Sequence, residues 1–383
     1  MNSPNVHRVG ILGFGFIGKV HAYAYQTLPF FYDPVPLATR ITHVVTSRRE
    51  TAEQAQRVVG AAHGGTDHRD VTENPEVDIV HVCTPNHLHK DALVSALRHG
   101  KHVYCDKPLV AQWSEVEEVL LALQGHQGTT QMTFQNRFFP AILCARQLVE
   151  DGGLGEILGF RATYLHSGSV DPDAPLKWKL TARAGGGVIA DLGSHVLDLV
   201  EHLAGPVESL TATTHIAHAD RPTLTDPSTR VPVDAEDSVV MLARLPSGAV
   251  GTLEATKIAT GSEDELRCEI EGSRGGLRFN LMDPHHLDYY DMSAHVNPSN
   301  PVRGWTRLNT GQRYELPATR FPSPKAPIGW IRAHVACLAN FLQAVANRRP
   351  AAPDLRQGVR VQRLMEAAHR AAARQQWVDC TGH

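Results

Sequence analysis

Two patterns of apolar residues alternate along the first third of the chain. Short, nearly continuous apolar runs such as Val77-Asp78-Ile79-Val80-His81-Val82-Cys83 predict strands covered on both faces. Such strands are expected at Arg8–Leu12, Ile41–Thr46, Asp78–Cys83, Lys101–Cys105 and Thr129–Phe134. Between them, helical periodicity predicts helices at Ile17–Leu28, Thr51–Val59, His87–His99 and Ser114–Gln124. Strand and helix in regular alternation predict an α/β domain with a doubly wound parallel sheet. Pro29 to Pro36, rich in proline and aromatics, reads as an insertion after the first helix.

Beyond Phe134 the pattern changes. One helix, Phe139–Glu150, leads into segments at Glu156–His166, Val207–His215, Ser238–Leu245, Val250–Lys257, Glu265–Glu271 and Gly276–Leu281. Turn residues such as Pro246-Ser247-Gly248 and Gly272-Ser273 separate them, which predicts hairpins in a mostly antiparallel sheet. Helices are expected at Asp191–Leu203, Ile331–Asn347 and Leu355–Gln375. The domains expected are residues 1–134 and an α+β unit over 135–383, whose last helix can pack back on the first. Asp283 to Pro327, rich in Pro, Asn and Gly, supports no assignment, and no internal repeat is present.

Composition narrows the class. A chain of 383 residues with 42% hydrophobic content fits two ordinary cores. A net charge of −3 gives no reason to expect nucleic acid or an anionic membrane as partner. No apolar stretch is long enough to span a bilayer, and no signal-peptide pattern precedes the first strand. Cys83, Cys105, Cys144, Cys268, Cys337 and Cys380 are scattered, as expected of buried thiols in a reducing compartment. A soluble, cytoplasmic protein is the expectation.

The chemistry is concentrated in a few motifs. Residues 10–18 read Gly-Ile-Leu-Gly-Phe-Gly-Phe-Ile-Gly. Gly13 suits a tight turn, Gly15 a close approach to a pyrophosphate, and Gly18 close helix-on-strand packing. A helix starting at about Ile17, beside Phe16, would aim free N–H groups at the phosphates. At the end of the second strand stand Ser47-Arg48-Arg49, with no carboxylate for a ribose 2′-hydroxyl. Guanidinium and hydroxyl groups suit a 2′-phosphate, so NADP is favoured over NAD.

Thr84-Pro85-Asn86 and His89 follow the fourth predicted strand, where ligands sit in such sheets, and Asp106-Lys107-Pro108 ends the next. His81, His87 and His89 invite a metal reading, but His81 lies mid-strand and no carboxylate or thiol completes the set, so no metal is expected. Gly185-Gly186-Gly187 precedes a helix on which Asp191 and His195 lie four apart, so the carboxylate can orient the imidazole for acid/base work. The triple glycine permits close approach to a ligand or to the facing domain.

Glycine turn, Thr-Pro-Asn, Asp-Lys-Pro and Gly-Gly-Gly…Asp…Gly-x-His-x-x-Asp, in this order, together resemble the Gfo/Idh/MocA family of oxidoreductases. Asn136-Arg137-Phe138-Phe139-Pro140 also resembles its Asn-Tyr-Arg-Phe-x-Pro segment, while Asp106 stands where the family usually has glutamate. The resemblance implies a Rossmann domain followed by an α+β domain whose large open sheet often forms the contact in a homodimer or homotetramer. It implies NAD(P)-dependent hydride transfer at a carbinol carbon of a sugar, polyol or glycoside. Lys107 or His195 would be the base, with Asp191 holding the histidine, and Arg137, His166, Trp178 and Lys179 could bind hydroxyls. Redox-assisted glycoside cleavage with tightly held NAD is an alternative, and so is a non-catalytic cofactor sensor or scaffold.

Overall fold

The computed structural model describes residues 6–294, 296, 297, 300, 301 and 303–382. The first elements are β1 (His7–Leu12), α1 (Phe16–Phe31), β2 (Thr39–Val45), α2 (Arg49–Val59), β3 (His63–Gly65), α3 (Arg69–Thr72), β4 (Ile79–Val82), α4 (His89–Arg98), β5 (His102–Asp106), α5 (Val116–Leu123) and β6 (Thr130–Thr133). The six strands form one parallel sheet in the order β3-β2-β1-β4-β5-β6. All four residues of β4 are buried, as strands between two helical layers require. The chain reverses winding between β1 and β4, which opens a crevice at their C-terminal ends.

Two differences from the expected pattern have plain causes. β3 and α3, three and four residues long, are too short to show a period. α1 runs through Pro29 to Phe31 rather than ending at Leu28, so the insertion begins later. Proline this close to a helix end forfeits one hydrogen bond. Phe30 and Phe31 both pack on Phe321, with ring centroids 5.8 and 5.4 Å apart, and this holds the last turn.

The rest comprises α6 (Pro140–Glu150), β7 (Ile157–Leu165), α7 (Ser194–Leu203), β8 (Ser209–His215), a ribbon of β9 (Asp220–Pro222) and β10 (Arg230–Pro232), β11 (Ser238–Arg244), β12 (Val250–Thr256), β13 (Glu265–Gly272), β14 (Gly275–Asn280), β15 (His286–Asp291), a short ribbon of β16 (Val296–Asn297) and β17 (Asn300–Pro301), β18 (Trp305–Asn309), α8 (Trp330–Ala346), α9 (Leu355–Arg374) and β19 (Val378–Asp379). Nine strands form a mixed sheet in the order β18-β15-β14-β13-β7-β12-β11-β8-β19. Only β7 and β12 are parallel neighbours. The unassigned stretch 283–327 supplies β15 to β18, and its residues 295, 298, 299 and 302 lie outside the described residues. β18 is an edge strand with four of five residues exposed, so it carries no alternating apolar signal.

Along β11 the alternation is clear: Val239, Met241 and Ala243 are buried, whereas Val240 and Leu242 are exposed. The buried face packs against α6, α7 and α9. Both C-terminal helices return to the first sheet. α8 packs on α1, and the Gln131 side chain donates to the Cys337 carbonyl at 2.9 Å. α9 lies against both β6 and β8, so one apolar core runs from Val80 and Val103 through Met132 to Leu253 and Leu266. No helix among the described residues is long and apolar enough to cross a membrane.

Half-buried histidines make the fold acid-sensitive. Burial, with Arg137 and Arg146 nearby, pushes His202 down to about 3, and burial, with His7 and His126 nearby, pushes His102 to about 4. The native state keeps both rings neutral, while the unfolded chain binds protons below about pH 6.5. Their stabilisation is therefore complete above pH 6.5 and is lost as pH falls from 6.5 towards 3. His202 contributes at most about 1.4 kcal/mol per pH unit in that window. Thermal melts should show Tm falling between pH 7 and 4.5, with a smaller fall in His202→Gln; a flat profile would contradict this account.

Candidate active site

The crevice between β1 and β4 widens into a cleft of about 1100 Å³ that reaches from the β2 tip to α7. Its floor is the turn between β1 and α1. Gly13 has φ +87°, and a Cβ there would stand 2.5 Å from the Cys83 carbonyl oxygen. A Cβ on Gly18 would stand 2.1 Å from the Gly13 oxygen, so the helix can seat on the turn only as glycine. A Cβ on Gly15 would meet nothing within 4 Å; this glycine faces open cleft. As N-cap of α1, Gly15 offers no side-chain bond, and the first-turn N–H groups point out free. The cradle fits a pyrophosphate.

At the far end, three lysines from three separate elements converge on Asp191. Lys107, just past β5, donates from Nζ to the Asp191 main-chain oxygen at 2.5 Å and lies 3.3 Å from its Oδ1. Lys179 Nζ lies 2.9 Å from Oδ1, and Lys257 Nζ, one residue past β12, lies 3.2 Å from Oδ2. Burial alone would raise the Asp191 pKa. Lys257, Lys107 and Lys179 outweigh that and hold the carboxyl well below the usual range. Lys107 is displaced downward by burial, against the raising pull of Asp191, so its ammonium gives up a proton more readily than a surface lysine.

His195 is buried beside this cluster, between the edges of Tyr164 and Phe134 at 5.8 and 6.1 Å. Burial, aided by Lys107, pushes it well below the ordinary histidine value, so the ring is neutral. Its Nδ1 has no partner among the described residues. The expected Asp191–His195 pairing is corrected here. Residues 189–193 wind as a π-helix before α7 begins at Ser194, and Asp191 turns to the lysines instead. Tyr164 Oη donates to Asp264 Oδ1 at 2.6 Å, and His166 Nε2 lies 2.9 Å from the same oxygen.

Of the residues singled out in the sequence, Gly13, Gly15, Phe16, Ile17, Ser47, Thr84, Pro85, Asn86, Asp106, Lys107, His166, Trp178, Lys179, Asp191 and His195 line this one cleft. The triple glycine serves the close approach of two segments: Asn86 Nδ2 donates to the Gly185 oxygen at 2.8 Å, and a Cβ on Gly186 would stand 2.6 Å from the Lys179 main chain. Four readings change. Arg137 does not reach the cleft; it forms a buried two-pronged pair with Asp198, at 2.8 and 2.6 Å. His89 is fully buried, its ring nitrogens 2.9 Å from the Pro108 and Thr84 oxygens, so it ties two cleft loops together rather than touching a ligand. Arg49 is taken up by Glu53 at 2.9 Å, and exposed Arg48 stands beside the cleft rather than in its wall. Sequence reasoning missed Lys257, Tyr164, Asp264, Gln135 and Trp330. Lys257 had a signal, as the last residue of a predicted strand; Trp330 had none, being brought across the fold by α8.

Residues 7–134 match the oxidoreductase family described as an NAD-binding Rossmann fold, and residues 146–380 match its C-terminal alpha/beta domain. The chain belongs to the Gfo/Idh/MocA oxidoreductases. It is 30% identical to levoglucosan dehydrogenase of Pseudarthrobacter phenanthrenivorans over 97% of both chains. A solved levoglucosan dehydrogenase in complex with NADH and levoglucosan superposes with a TM-score of 0.93 at 30% identity, covering 99% of this chain and 100% of that one. Myo-inositol 2-dehydrogenase of Thermotoga maritima is 27% identical over 70% of this chain and 74% of its own.

Because Gly15 faces open cleft, Gly15→Val should fold normally yet fill the cradle. Its Tm should match wild type while NADH binding, read by fluorescence titration, weakens at least about tenfold. Unchanged binding would show that the phosphates lie elsewhere.

Proposed function

We propose that this protein is an NAD(P)-dependent dehydrogenase acting on a secondary carbinol of a cyclic sugar, anhydrosugar or polyol. The carrying observation is the meeting of Lys107, Asp191 and neutral His195 at the strand ends, in a cleft whose other half is a dinucleotide cradle. A bound dinucleotide supplies the hydride acceptor or donor at its nicotinamide. The turn from Gly13 to Gly18 and the start of α1 would hold its pyrophosphate. His195, neutral in its apolar surroundings, takes the hydroxyl proton. Lys107, kept positive and oriented by Asp191, stabilises negative charge developing on that oxygen. Trp178 and the His166–Asp264 pair offer a stacking face and hydroxyl partners.

A panel of anhydrosugars including levoglucosan, monosaccharides and inositols, followed by NAD(P)H absorbance, tests the reading. Turnover confined to apolar alcohols would overturn it, and glycoside cleavage with no net NAD(P)H would replace it with redox-assisted cleavage. Lys107→Ala should bind cofactor normally and lose about 10²–10³-fold in kcat; near-normal turnover would remove Lys107 from the mechanism. The base must be unprotonated, so kcat/KM falls on the acid side as His195 gains its proton. Since burial and Lys107 lower its pKa, that limb should lie below pH 6.5 and vanish in His195→Ala.

The β2 tip favours NADP. Ser47 lines the cleft, no carboxylate stands beside it, and Arg48 has no ion-pair partner among the described residues. A 2′-phosphate would meet that guanidinium. Arg48→Ala should lower kcat/KM for NADP about tenfold and leave NAD unaffected; an NAD preference untouched by the substitution would overturn this.

The protein is a homodimer or homotetramer through the outer face of the nine-stranded sheet. Val240, Leu242 and Val250 lie exposed together there, with Trp305 at the far end under Arg278. Light scattering should return a multiple of 41.9 kDa, and Leu242→Arg should reduce it; a wild-type monomer at micromolar concentration would contradict it.

A further inference from the structure

Beneath the glycine turn, the inner face of α1 meets the end of β4. His21 and His81 are buried there and Cys83 is half-buried. His21 Nδ1 lies 3.1 Å from His81 Nδ1 and 3.1 Å from Cys83 Sγ, and the three donor atoms all fall within 4.8 Å of one another. A hydrogen-bond chain needs the His21 Nδ1 proton to be shared between His81 Nδ1 and the Cys83 sulfur, and it leaves the buried His21 Nε2 with no partner among the described residues.

We propose that His21 Nδ1, His81 Nδ1 and Cys83 Sγ form a site for one thiophilic divalent cation of the zinc type. Two nitrogens and a sulfur are the donor set such an ion prefers, and bonds of about 2.0–2.3 Å place tetrahedral donors about 3.3–3.6 Å apart. The two 3.1 Å separations from His21 need only a few tenths of an ångström of outward shift, and the third pair lies within 4.8 Å. Tyr25 Oη lies 2.8 Å from His81 Nε2, which leaves the opposite nitrogen for the ion. Binding displaces the thiol proton to water, with no change in oxidation state.

The set is distinct from the histidines whose sequence spacing suggested and then failed a metal reading. Only His81 is common to both; His21 arrives by way of α1. Cys83 also lines the dinucleotide cleft, so the ion enters from the empty cleft and a bound dinucleotide covers the entrance. The site thereby senses thiophilic metal in the cofactor-free enzyme and is shielded in the loaded one.

Cobalt(II) is the probe, added to the full-length apo enzyme. One equivalent should bring up a thiolate-to-cobalt charge-transfer band in the near ultraviolet. That band should be missing in Cys83→Ser, retained in Cys105→Ser, and slow to appear after saturation with NADH. Zn²⁺ affinity, measured by competition with a chromophoric chelator, should fall about 10–100-fold in Tyr25→Phe. Melting curves and NADH titration establish that each variant is folded. Should Cys83→Ser unfold, the NADH block and Tyr25→Phe still decide. The trio is an internal hydrogen-bond chain only if wild type shows no thiolate band, if Cys83→Ser keeps it, or if neither NADH nor Tyr25→Phe alters binding.

Discussion

One half-buried carboxylate organises the α7 end of the cleft. An Asp191 side chain only one-fifth exposed and left without partners would be driven towards its neutral form. It stays charged because Lys107, Lys179 and Lys257 surround it. Each lysine belongs to a different segment: the end of β5, the loop before α7, and the end of β12. Neutralising the aspartate therefore fixes three chain segments at one point. Lys107 is placed in the cleft by the same contact that keeps the carboxylate ionised.

The layer beneath is built on the same rule. Asp198 lies one helical repeat past His195 and is held by Arg137, which anchors the segment after β6 to α7 from below. Burial raises the Asp198 carboxyl and Arg137 opposes it. Removing either partner would leave a buried charge alone, a larger loss than the pair's own net contribution. His89 does the equivalent with neutral groups, spanning the loops after β4 and β5 that carry Asn86 and Lys107. Positions away from the cleft wall thus set the angles of the side chains that line it.

How much of this was legible in the chain follows from the range of each interaction. The glycine turn, the alternating strands and the tripeptides at the ends of β4 and β5 are local, and local patterns were readable. Arg137 was misread because nothing in its own segment announces Asp198, 61 residues on. The Asp191–His195 pairing was misread because a four-residue spacing assumes an α-helix, and the π-turn at 189–193 breaks that assumption. Lys257 and Trp330 are placed by sheet register and by a returning helix, neither of which leaves a trace in neighbouring residues. β15 and β18 were missed because strands at or near a sheet edge, with little apolar burial, need no alternation.

The two sheets are one mechanical body, and this bears on how the site works. Met132 on β6 touches Gly358 of α9, a helix that also packs on β8 of the second sheet, and Met132 N–H donates to the Pro353 oxygen at 2.8 Å. α8 seals the opposite face of the first sheet against α1. Across the cleft, the Asn86–Gly185 bond and the tight approach of Gly186 to Lys179 make a second bridge. A hinge would have to break packed core on one side and hydrogen bonds on the other. The distance from the glycine turn to Lys107 and His195 is therefore set by the fold, a form of preorganisation. What remains free to move is the rim: Phe16 and Trp330, stacked at 5.6 Å over the cleft mouth, with Phe16 largely in solvent.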